Sequence, residues 1–132
     1  MAEALKKEYA IMDALNLAFL GDAVYELMVR RDLVSEDRHV ADLHKEAVRY
    51  VSANAQCRDF KNIEELLTEE ELDLVRRARN KSQHPPKHTK IQVYRIATGF
   101  EALVGALYLS GAKDRLEYPV SYTHLRAHET LR

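Results

Sequence analysis

Apolar residues recur every three or four positions along most of this chain and nowhere alternate with polar ones for long. That period marks helices with one buried face. Leu17, Leu20, Val24, Leu27 and Met28 share such a face, on a helix that Asp13 can cap and that should run to about Arg31. Glu26 and Arg30 form a favourable pair one turn apart near its end. After a polar link from Asp32 to Arg38, a second helix is predicted from about Val40 to Phe60, with Leu43, Ala47, Tyr50, Val51, Asn54 and Cys57 spaced along it. Asn62 with Glu65, and Thr68 with Glu71, have capping-box spacing and mark two further helix starts, the second helix ending near Asn80. Pro85 and Pro86 forbid continuous helix between Lys81 and Lys90. The last long helix should span about Thr89 to Ser110, closed by Gly111. The expected fold is all-α, a bundle of five or six helices.

Composition agrees. The 132 residues suit one domain, and 46% are hydrophobic with only 4 Gly and 3 Pro among them. No apolar stretch reaches the ~18–20 residues that cross a bilayer. The start, Met1 to Lys7, lacks the order of a signal peptide. The single cysteine, Cys57, excludes an internal disulfide framework and suits a reducing cytosol, so a cytoplasmic protein is expected. Cys57 itself reads as a small packing residue rather than a nucleophile.

The net charge of −1 conceals a strong asymmetry. Asp59 to Asp73 holds Asp59, Glu64, Glu65, Glu69, Glu70, Glu71 and Asp73. Leu74 to Phe100 has no acid at all, and carries Arg76, Arg77, Arg79, Lys81, Lys87, Lys90 and Arg95, with His84 and His88 between them. A polyanion could bind one face of such a protein; a solvated basic loop would look the same.

Residues 119–132 break the pattern. Val120 to Thr130 resembles the in-frame translation of an adapter used to prepare sequencing libraries, so 1–118 is read as the domain, cut short at its C-terminus, and 119–132 as a non-native tail. His124, His128 and Glu129 have the spacing of a helical zinc site, which is accidental if the tail is foreign.

Two carboxylates stand inside apolar helical segments. Asp22 follows Phe19-Leu20-Gly21 and precedes Ala23-Val24; Glu101 lies between Phe100 and Ala102-Leu103-Val104. A buried carboxylate needs a partner, which a salt bridge (Arg95 for Glu101, a lysine for Asp22) or a metal could supply. Gly21 precedes Asp22, and Gly105 falls one turn after Glu101. Small-residue faces of this kind let two helices cross closely and bring both acids together, as hard oxygen ligands for Mg²⁺.

The segment Leu17 to Leu27, with Phe19-Leu20-Gly21-Asp22-Ala23-Val24 at its centre, resembles the signature of the ribonuclease III family, and Phe100 to Leu109 resembles that family's second acidic helix. Asp42-Leu43-His44-Lys45, Val51-Ser52-Ala53, Arg79-Asn80, Lys81-Ser82, Pro86-Lys87 and Gln92-Val93-Tyr94-Arg95 are similar to its Mini-III branch. The resemblance runs from about Leu15 to Leu109 with its parts in order. It implies an all-helical, symmetric homodimeric endoribonuclease that cuts double-stranded RNA with Mg²⁺. Asp22 and Glu101 would be its catalytic residues and metal ligands. Leu15, Ala18 and Thr98 stand where larger family members carry acids, and Asn54 at a further acidic place, so this would be a reduced site.

Members of that branch lack a separate RNA-binding domain, which leaves the binding to this one. Arg76, Arg79, Lys81, Lys87 and Lys90 are the expected phosphate contacts, with Asn80 and Ser82 as neutral donors. Arg77, His84 and His88 are read as solvated, Tyr25 and Tyr94 as half-buried packing, and His44 as either an RNA contact or a structural histidine. The implied role is maturation of precursor large-subunit ribosomal RNA, with a ribosomal protein as a candidate partner that presents it. The rival reading is a non-catalytic double-stranded-RNA-binding module of the same fold.

Overall fold

A computed structural model describes residues 4–34, 39–82, 85, 87 and 89–117. The 119–132 tail, His84, Pro86 and His88 lie outside the described residues. The helices are α1 (Lys7–Ala10), α2 (Ala14–Val34), α3 (Val40–Val51), α4 (Ala53–Ile63), α5 (Glu69–Lys81), α6 (Ile91–Leu109) and α7 (Lys113–Arg115), with one 3₁₀ turn over Glu64–Leu66. Among the described residues there is no strand, and no helix is long and apolar enough to cross a membrane.

The capping expectations explain the boundaries of three helices. Asp13 Oδ1 accepts from the Leu15 and Asn16 amides at 2.9 and 3.2 Å and starts α2. Thr68 and Glu71 form a reciprocal capping box at the start of α5. Gly111, at φ 67°, ends the turn after α6 in the left-handed region that glycine enters without a Cβ penalty. The helix expected from Val40 to Phe60 is in fact two. Ser52 breaks it with an extended backbone (ψ 156°), and its Oγ caps α4 through the Ala55 amide at 3.2 Å. Asn62 does not open a helix, because α4 runs on to Ile63 and into the 3₁₀ turn.

The long helices α2 and α6 share the most extensive contact in the fold, and α6 also packs on α4 and α5. Phe100, Leu103, Val104 and Leu107 of α6 are therefore fully buried, which is why this helix reads as apolar all round. The core has two unlike parts. Large side chains, among them Tyr25, Tyr50, Phe60, Ile63 and Phe100, fill the α3–α4 side; Ala14, Ala18, Ala78, Ala102 and Ala106, with Leu17 and Leu74, fill the other. Small residues let backbones meet at the crossing of α2 and α6. A Cβ built on Gly21 would overlap the Glu101 carbonyl and lie 2.9 Å from the Gly105 nitrogen. One on Gly105 would overlap the Leu17 carbonyl and lie 3.1 Å from the Gly21 nitrogen.

The C-terminal turn is tied back by charge. Arg115 Nε donates to the buried Glu71 carboxylate at 3.0 Å, and its Nη2 donates to that carboxylate and to the Leu66 carbonyl. Arg31 makes a forked contact with Glu117 at 2.7 and 3.1 Å.

Gly21→Ala and Gly105→Ala should each cost more than ~3 kcal/mol, because the clash is with backbone that cannot rotate away. Chemical denaturation measures this; a loss below ~1 kcal/mol would mean that the two backbones are not in contact.

Candidate active site

Asp22 comes from the middle of α2 and Glu101 from the middle of α6, on either side of the Gly21–Gly105 crossing. Both line one cleft of about 490 Å³ with Leu15, Ala18, Phe19, Ser82, Tyr94 and Thr98. Helical spacing decides this set. Leu15, Ala18, Phe19 and Asp22 follow one face of α2, and Tyr94, Thr98 and Glu101 one face of α6.

Asp22 is exposed, while Glu101 is largely covered. Burial, and the Asp22 carboxyl beside it, with which it can share a proton, push the Glu101 carboxyl up to about 8; the Gln56 amide acts the other way. No lysine or arginine among the described residues forms an ion pair with either acid. Arg95, a salt-bridge candidate for Glu101, has its Nε buried without a partner among the described residues. Two facing carboxylates without a counter-charge form a donor set suited to a hard cation. Among the described residues no cluster of three or more potential metal ligands occurs.

The neutral wall of the cleft is held by hydroxyls. Thr98 Oγ1 donates to the Tyr94 carbonyl at 2.9 Å, and Ser82 Oγ donates to Thr98 Oγ1 at 3.3 Å. Leu15, Ala18 and Thr98 line this cleft beside the two acids.

The ribonuclease III domain model matches residues 15–112 of this chain. The chain belongs to the ribonuclease III family. It is 52% identical over 118 residues to a Mini-ribonuclease 3 of Thermoanaerobacter, covering 87% of this chain and 83% of that protein. Against the Mini-ribonuclease 3 of Enterococcus faecalis it is 39% identical over 128 residues, covering 94% and 97%. A Fusobacterium nucleatum protein solved by crystallography superposes with a TM-score of 0.83 at 29% identity, covering 92% of this chain and 99% of that one. These matches make it a Mini-III-type endoribonuclease, in a ribonuclease III family that acts on double-stranded RNA.

The remaining candidates of this ribonuclease III chain are placed unevenly. Arg79, Asn80, Lys87 and Lys90 are exposed. Lys81 is exposed but bonded to Asp13 Oδ2 at 2.9 Å, and Arg76 is exposed and paired with Asp73. Ser82 is buried at the foot of the basic segment, in the cleft wall rather than on an open loop. Arg77, expected in solvent, donates to the Ala10 carbonyl and to Asp73 at 3.1 Å, fastening α1 to α5. Tyr94 lines the cleft, whereas Tyr25 is buried and donates to Asp59 at 2.5 Å. Burial holds the Asp59 carboxyl above its usual range and pushes the Tyr25 phenol well above its own. His44 and Asn54 are exposed and do not line this cleft, and Cys57 is a buried packing residue. Sequence reading missed Gln56 and Asp59. The signal was there in two polar residues one turn apart on the face that Cys57 and Phe60 bury.

Glu101→Gln should stabilise the metal-free protein at neutral pH. A carboxyl with a raised folded pKa costs stability once the unfolded chain ionises and the folded one resists. The variant's melting temperature should therefore match wild type near pH 4, and its advantage should widen from about 4.5 until about 8. Melting in chelator across that range checks this; an equal advantage at every pH would mean that Glu101 is not protonated in the fold.

Proposed function

We propose that this protein is a Mg²⁺-dependent hydrolase of double-stranded RNA in which Asp22 and Glu101 hold the metal. The observation that carries the reading is the pair itself: two carboxylates at one helix crossing, in an open cleft, with no ion pair to a lysine or arginine among the described residues. Bound there, Mg²⁺ would supply a water activated for attack and would neutralise charge on the phosphodiester.

The chain's own residues do the rest. The crossing fixes the spacing of the acids. The partial burial of Glu101 keeps bulk water from screening its charge, while the exposure of Asp22 leaves that side open to the phosphate. Ser82, Thr98 and Tyr94 give the cleft neutral hydroxyls where further carboxylates would repel the RNA backbone. Arg79, Lys81, Lys87 and Lys90 follow that backbone through phosphate contacts, joined by Arg76 once it leaves Asp73, with Asn80 as a neutral donor.

The working unit is a homodimer. Phe19, Leu27 and Tyr108 stand 85%, 65% and 53% exposed on the two central helices, and a second copy of this chain is the partner that would cover them. The proposed substrate is precursor large-subunit ribosomal RNA, presented by a ribosomal protein, within the cytoplasm. The domain that acts is residues 1–118, and residues 119–132 belong to no part of the activity.

Cleavage of a duplex RNA should begin with added Mg²⁺ and stop in chelator. Asp22→Asn should lower it by more than ~100-fold while duplex affinity stays within about threefold of wild type. Cutting that survives chelation would remove the metal from the mechanism, and wild-type binding without cutting at any Mg²⁺ concentration would leave a binding module. In the same binding assay, Lys81→Ala with Lys87→Ala should weaken affinity and flatten its dependence on salt. Light scattering should give a dimer that Phe19→Asp converts to monomer; a wild-type monomer would overturn the assembly.

A further inference from the structure

Gln56 and Asp59 lie one turn apart on α4 and are 2% and 0% exposed. One Asp59 oxygen accepts the Tyr25 hydroxyl, which links α4 to α2, and the other lies 3.8 Å from Arg58 Nε. Gln56 is not accounted for by the needs of its own helix. Its Nε2 donates to the Val51 carbonyl at 2.8 Å, its side chain comes near enough to the Glu101 carboxyl, on the helix that α4 packs against, to favour the charged form, and its Oε1 has no partner among the described residues. A methionine or leucine would fill similar space without desolvating an amide, so the polar group has to be justified by what it does.

A primary amide carries two hydrogens in one plane. With one of them anchored on Val51, the direction of the other is set. Glu101 needs such a guide. Once Glu101 gives up its proton, as holding a cation requires, like charges repel, and its flexible side chain would relax away from Asp22 if nothing held it. We propose that Gln56 is a positioning residue for Glu101, its Val51-anchored amide holding that carboxylate turned toward Asp22 and the cleft. The residue touches neither RNA nor metal and acts only through Glu101. The catalytic consequence rests on the metal reading above.

The test is Gln56→Met in the full chain, which keeps bulk and removes the amide. In the RNA-free protein, Mn²⁺ affinity by calorimetry should fall about tenfold or more, and kcat on duplex RNA should fall by a similar factor. KM for duplex should stay within about twofold, and the metal-free melting temperature should hold or rise. A folded Q56M with wild-type Mn²⁺ affinity and kcat would overturn the proposal, as would a lower melting temperature with both unchanged. Should Q56M not fold, a crystal structure of the wild type decides. An amide hydrogen-bonded to Glu101 supports the assignment, and one turned away from it overturns it. Wild type that binds Mn²⁺ yet leaves duplex RNA intact sinks the metal-catalysed reading alone, since the calorimetric comparison still judges Gln56.

Discussion

The structure depends on one contact without side chains. At Gly21 and Gly105 the backbones of α2 and α6 meet so closely that neither position has room for a methyl group. That approach determines where both acids stand, since Asp22 is the next residue after Gly21 and the carbonyl that Gly21 touches belongs to Glu101. The cost is accepted twice, because a helical glycine is weaker than alanine by ~1 kcal/mol. In return, two long helices stiffen one another beside the two carboxylates.

The same geometry sets charge against stability. Carboxylates brought face to face beside an apolar core repel each other and lose water, and the metal-free protein carries that strain as a proton retained on Glu101. With Leu15, Ala18 and Thr98 in the cleft, the strain is confined to two acids instead of being spread over several. Elsewhere the fold pairs its buried charge directly, as where Arg115 bonds to Glu71.

Much of this was legible before any coordinates. Period and capping residues located α2, α5 and α6, because Asp13, Thr68 with Glu71, and Gly111 act on their own neighbours. Gly21 and Gly105 hinted at the crossing, and the motifs around Asp22 and Glu101 named the pair. What stayed hidden depends on distant partners. Ser52 carries no break signal strong enough to override the apolar spacing from Val40 to Phe60. Arg77 reads as one more basic surface residue until Ala10 packs against it. Ser82 sits in a basic run, yet Thr98, sixteen residues on, draws it into the cleft wall. Gln56 could not be linked to Glu101 without knowing that α4 lies against α6.

The uneven core carries a consequence for how this protein can change. On the α3–α4 side, large side chains meet one another, and cores of that kind accept new combinations as long as total volume is kept. On the α5 side, alanines hold the helices close together, and only Leu17 and Leu74 could be made smaller to admit something larger. Drift among descendants, and any library built to broaden the enzyme, should therefore accumulate around Tyr50, Phe60 and Ile63. Ala14, Ala78, Ala102 and Ala106 would persist as an unvarying spine beneath the cleft.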